Sequence, residues 1–112
     1  MGAEPQFIPS IRSDLADDPA LRGLIDAFIS DLPARVHSLF AALHAQQFTE
    51  LERLAHQLKG DGGGYGFSGL SARAADLEKV LTRKDLDFAR SRMSELRSKI
   101  DDLAALCHRI RA

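Results

Sequence analysis

Seven apolar positions near the C-terminus, Ala89, Met93, Leu96, Ile100, Leu103, Cys107 and Ile110, alternate four and three residues apart. That spacing puts all seven on one stripe of an α-helix, the seam with which a helix packs into a bundle. No stretch of the chain alternates apolar and polar residues with period two, so no sheet is expected.

The same periodicity organises the rest of the chain. Asp18-Pro19 reads as an N-cap followed by proline at the first helical position. Leu21, Leu24, Ile25, Phe28, Ile29 and Leu32 follow on one face. Pro33 should kink or restart this helix because it lacks a backbone donor. The stripe resumes at Val36, Leu39, Phe40 and Leu43. Thr49-x-x-Glu52 has the form of a capping box and opens a helix whose core face is Leu51, Leu54, Ala55 and Leu58. Another helix follows Ser68, with Leu70, Ala74, Leu77 and Leu81 on its stripe. The last begins near Asp85. The expected fold is all-α, an antiparallel four-helix bundle with an additional N-terminal helical segment. Residues 13–112 form the domain, and residues 1–12, with two prolines and little periodicity, form an N-terminal arm.

Composition narrows the function classes. The chain has 112 residues, 45% of them hydrophobic, enough for one packed core. Its net charge is -1, with no clustered basic face of the kind nucleic acid requires. The single cysteine, Cys107, allows no internal disulfide and reads as a core residue. No apolar run approaches the ~20 residues of a membrane span. Met1-Gly2-Ala3-Glu4-Pro5 has neither the charged nor the apolar region of a signal peptide. The expectation is a cytoplasmic protein, or a cytoplasmic piece of a larger one, and a monomer, since each apolar stripe is used within one bundle.

The candidate site lies in the helix after Thr49. At ~100° per residue, His56 falls well away from the core direction and toward solvent. Glu52, Arg53, Lys59, Gly60 and Gly63 share its face. Gly60, Gly62, Gly63 and Gly64 follow within one short stretch. Each glycine costs roughly 0.8–1.0 kcal/mol relative to alanine in a helix interior, roughly 3–4 kcal/mol for four. A domain of this size has only about 5–15 kcal/mol of stability. Such a cost suggests another requirement, a flat shelf on which a partner approaches the ring. A helix that stops at Gly60 and gives way to a loop is the alternative. Tyr65, seven residues after Leu58 on the apolar face, favours a helix persisting to about Tyr65.

His56-x-Leu58-Lys59-Gly60, with Gly66 ten residues after the histidine and then Leu70 and Leu77-Glu78, resembles the histidine-containing phosphotransfer (HPt) domains. The run from Lys59 to Phe67 also resembles the phosphotransfer domain of chemotaxis-type histidine kinases. The resemblance implies a phosphorelay intermediate. His56 would accept a phosphoryl group on Nε2 from a hybrid histidine kinase or a response-regulator receiver domain, and pass it to a receiver aspartate. Lys59 would offset the phosphoryl charge. Gly60, Gly63 and Gly64, with Arg53 and Glu52, would form the docking surface. Asp61 stands where many relatives have a small residue, and its charge near that surface would tune partner choice. The chain would bind no cofactor, since Mg²⁺ would come with the receiver, and without an ATP-binding sequence it would have no kinase activity of its own. In the chemotaxis relatives a glutamate matching Glu78 accepts a hydrogen bond from the histidine. Many stand-alone domains lack that contact, and the expectation here leans to an ordinary surface carboxylate. Gln57 is a second candidate for orienting the ring, although the wheel places it off the His56 face.

Other patterns carry less. Gly64-x-Gly66-x-x-Gly69 has the spacing of a dinucleotide loop, but helix rather than strand precedes it. His37, His44 and His108 show no tight metal-ligand spacing, and no metal site is expected. A helical module that binds receivers without relaying phosphate is the competing class. Degenerate members of that kind usually lack the acceptor histidine, whereas His56 and Lys59 are both present.

Overall fold

The computed structural model describes residues 10–82 and 86–111. Among the described residues five helices follow in order: α1 (Arg22–His44), α2 (Phe48–Gly64), α3 (Ser68–Leu81), α4 (Leu86–Ser91) and α5 (Met93–Cys107). α1 packs on α2, α2 most extensively on α3, α3 on α5, and α5 back on α1. The result is the expected all-α bundle. The loops at 45–47 and 65–67 are too short for a crossover, so α1, α2 and α3 alternate in direction.

The helical segment expected ahead of Pro33 is present, and it runs without interruption into the stretch after it. A proline in a helix interior costs about 3 kcal/mol. Fully burying a leucine or phenylalanine returns about 1.5–3 kcal/mol. Ile25, Phe28 and Leu32 before Pro33 are buried, as are Leu39, Ala42 and Leu43 after it. The shared core face therefore outweighs the lost backbone bond.

The expected helix limits change at four places. Asp18 caps a turn rather than α1: its Oδ1 accepts the Ala20 amide at 2.9 Å, and the helix opens at Arg22. The capping box does not form, because α2 starts at Phe48 with Gln47 as its uncapped flank. Phe48 is buried, and its packing sets the start. The single helix expected from near Asp85 is split at Arg92, which no glycine or proline explains. Asp85 itself lies outside the described residues. α5 ends at Cys107, so Ile110 is buried by a backbone bridge to Ile11 and not as a helical seam residue.

Residues 11–15 join the α2–α3 loop to the segment after α5 at one end of the bundle. The Ile11 amide donates to the Arg109 carbonyl at 2.6 Å, and the Arg111 amide to Ile11 at 2.9 Å. Ser13 is buried, its hydroxyl donates to the Tyr65 carbonyl, and the Asp14 amide donates to Gly66 at 2.9 Å. Residues 1–9 of the expected arm lie outside the described residues.

The loop after α2 is fixed from inside as well. Phe67 donates to Gly62 at 2.7 Å and Gly66 to Gly63 at 3.2 Å, the paired bonds of a Schellman closure. Gly66 sits at φ +86, the left-handed conformation this closure requires. Tyr65 and Phe67 stack on Phe28 of α1, with ring centroids 5.0 and 5.9 Å away.

Candidate functional site

α2 persists through Gly62, Gly63 and Gly64, with Tyr65 as its C-cap, so the glycine run is helix. Its four helical glycines do different things. A Cβ on Gly62 would meet the Ser71 amide nitrogen at 3.3 Å and Leu70 Cγ at 3.4 Å, so this glycine lets α3 approach closely. A Cβ on Gly63 would touch Ser71 Oγ at 3.4 Å, an ordinary contact. Gly60 and Gly64 face open space. The Ser71 hydroxyl completes the junction by donating to the Lys59 carbonyl at 2.7 Å.

That junction sets which residue of α3 faces His56. Glu78 lies seven positions beyond Ser71, two helical turns along the same face. Its Oε2 is 2.7 Å from His56 Nδ1, and its Oε1 is 3.3 Å from Lys59 Nζ. The His56 side chain is 70% exposed, Glu78 only 15%. The carboxylate is thus built into the α2–α3 interface while the ring projects from it. The surface-carboxylate expectation for Glu78 is corrected on this point.

Two opposing effects act on the Glu78 carboxyl. Burial pushes its pKa up, and the hydrogen bonds from His56 and Lys59 together more than reverse that, holding it below the usual range. Glu78 is therefore a carboxylate at neutral pH and can only accept. Nδ1 must carry the proton, and the lone pair of the neutral ring is left on Nε2.

The remaining candidates are placed unevenly. Gln57 is not brought to the ring: with Asp31, Arg35 and Leu54 it lines a shallow groove between α1 and α2. Arg53 closes on Glu50 with two bonds of 2.7 Å, and Glu52 is half-buried on α2. The charge of Asp61 is engaged within the fold, since Arg35 of α1 bonds it at 2.8 Å and Asp31 at 3.0 Å. The sequence does not single out Ser71, because its partner is the Lys59 carbonyl on the neighbouring helix. Cys107 is half-buried, and burial pushes its thiol up to about 11, which leaves it un-ionised at neutral pH. Among the described residues, no group of three or more His, Cys, Asp or Glu is placed to hold a metal ion. No helix among them is long and apolar enough to cross a membrane.

An exposed imidazole with its proton fixed on one nitrogen can act as a nucleophile through the other. Comparison with curated proteins and with solved structures gave no match. The family model described as Hpt domain matches residues 23–112, which takes in all five helices apart from the first residue of α1. The chain belongs to the Hpt domain family, the histidine phosphotransfer modules of phosphorelays.

Proposed function

We propose that His56 is the phosphoacceptor of this module and exchanges the phosphoryl group with a receiver-domain aspartate. The observation that carries the assignment is the 2.7 Å contact of Nδ1 with Glu78 beneath an exposed ring. The Nε2 lone pair forms the N–P bond as the P–O bond of the aspartyl phosphate breaks, and the aspartate leaves as a carboxylate. Glu78 orients the ring and keeps the proton on Nδ1, so no separate base is needed. Gln57 has no part in this. Phosphoryl transfer depends mainly on positioning and charge stabilisation.

Lys59 stands one helical turn from His56, where its ammonium can meet the equatorial oxygens of the phosphoryl group. Lys59→Ala should slow transfer about tenfold, equivalent to ~1.4 kcal/mol, with helicity unchanged. Stopped-flow transfer kinetics and circular dichroism check this, and an unchanged rate would remove Lys59 from the mechanism.

The receiver docks over Gly60, Gly63 and Gly64, flanked by Arg53 and Glu52. The partner is a response-regulator receiver domain, a hybrid histidine kinase, or both in turn. Mg²⁺ belongs to the receiver's own aspartate site. The chain acts as a carrier without kinase activity and without a nucleic-acid partner, as a cytoplasmic monomer whose functional unit is residues 13–112. The deciding experiment mixes the chain with a receiver phosphorylated by acetyl phosphate and maps the phosphoryl group by mass spectrometry. Phosphohistidine at residue 56 is the expected result; label on His37, His44 or His108 instead would overturn the assignment.

A further inference from the structure

A ring phosphorylated on Nε2 has changed its hydrogen-bonding character. In the neutral phosphorylated ring, the Nε2 lone pair belongs to the π-system and Nδ1 carries a lone pair without a proton. Glu78 Oε2 lies 2.7 Å from that nitrogen and has only lone pairs to offer. Acceptor would face acceptor at hydrogen-bond distance, which is repulsive. Retaining the Nδ1 proton removes the conflict and makes a charge-assisted bond.

We propose that Glu78 sets how long the phosphoryl group stays on His56, by keeping the Nδ1 proton on the phosphorylated ring. The proposal rests on His56 as the acceptor. The proton decides the leaving group. When water or an aspartate attacks phosphorus, the P–N bond breaks and its electron pair goes to Nε2. With Nδ1 protonated, a neutral imidazole departs. Without that proton, the departing group is an imidazolate, a far poorer leaving group. Glu78 therefore keeps the carried phosphoryl group labile toward both the receiver and water, up to a higher pH than an unassisted ring would allow.

The surrounding charges permit this. α3 directs Glu78 to the ring, and Glu78 shares its second oxygen with Lys59 of α2. On the same face of α2, Arg53 is closed on Glu50, and Glu52 adds a carboxylate one turn before the ring. From α1, Arg35 is held by Asp31 and by Asp61, on the side of α2 turned toward α1. An opposite charge within ~4–6 Å favours the charged form of a titrating group by about 1–3 pH units, and exposure of the ring places the effect near the lower end.

The test uses the full chain phosphorylated by potassium phosphoramidate, whose P–N bond breaks with loss of ammonia, so no partner protein is needed. Phosphorus NMR follows decay of phosphohistidine 56 from pH 5 to 10, and nitrogen NMR follows protonation of Nδ1. The native chain should lose the Nδ1 proton about one pH unit above Glu78→Gln and above free Nε2-phosphohistidine. At a pH between the two midpoints its phosphoryl group should decay several-fold faster than in the variant. Comparison with free phosphohistidine keeps the test valid if the variant folds poorly. Coincident profiles, or a lower midpoint in the native chain, overturn the proposal while leaving His56 as acceptor. Absence of phosphohistidine 56 with both phosphoramidate and a phosphorylated receiver overturns the acceptor assignment and this proposal together.

Discussion

His56→Gln is expected to take up no phosphoryl group from a phosphorylated receiver while melting at nearly the native temperature. The two halves of this result have separate physical grounds. Uptake requires a ring nitrogen with a free lone pair at neutral pH, and a carboxamide supplies none. The loss should therefore be complete within detection, not a graded slowing. Folding requires little of the imidazole, whose side chain is 70% exposed. The glutamine amide can still donate to Glu78, so the largely buried carboxylate keeps a partner beside Lys59. Radiolabel transfer and a thermal melt on the same sample check both halves. Retained labelling would reject His56 as the acceptor. A collapse of the melting temperature would mean that the His56–Glu78 contact holds α2 to α3.

Helical period alone identified the bundle, because Leu58, Leu77, Leu96 and Ile100 are the kind of residue a core accepts and each lies on its helix's predicted stripe. The boundaries were harder. Asp18 and Thr49 have the chemistry of caps, but a cap contributes only about 1 kcal/mol, and burial of Phe48 outweighs that at the start of α2. A kink or restart at Pro33 is the local expectation because the cost of proline is visible in the sequence, whereas the core face that offsets it spans both flanks. Within the site, His56 was legible because its neighbours lie on its own helix. Glu78 was singled out only by resemblance, and its contact with the ring was not legible, since it is 22 residues away and reaches the ring only in one register of α3 against α2. That register depends on the absence of a side chain at Gly62 and on Ser71 bonding Lys59. Neither relation appears as periodicity in either helix.

The glycines should separate sharply on substitution. Gly66→Ala is expected to destabilise the domain by about 3 kcal/mol or more: the left-handed conformation costs a non-glycine residue roughly 1–2 kcal/mol, and the new methyl adds a clash. That methyl would lie 3.0 Å from the Asp14 and Leu15 amide nitrogens and closer still to Ser13 Oγ. Residues 13–15 would have to lift from the α2–α3 loop, losing the bonds of Ser13 to Tyr65 and of Asp14 to Gly66. The melting temperature should fall by roughly 10 °C or more. Gly60→Ala should do the reverse. Its methyl meets nothing, and alanine in a helix interior gains about 1 kcal/mol over glycine. Gly63→Leu should be neutral or stabilising, since its Cβ makes only ordinary contact with Ser71, yet should weaken receiver binding at least tenfold, or ~1.4 kcal/mol. Chemical denaturation and titration calorimetry with the receiver separate the two effects. Unchanged receiver binding by Gly63→Leu would mean that the partner approaches His56 from another side. A loss of stability in Gly60→Ala would mean that the solvent face of α2 is constrained within the fold. With the expected pattern, part of the cost of four helical glycines is offset by the close α2–α3 approach at Gly62, and the remainder keeps the surface beside His56 free of side chains.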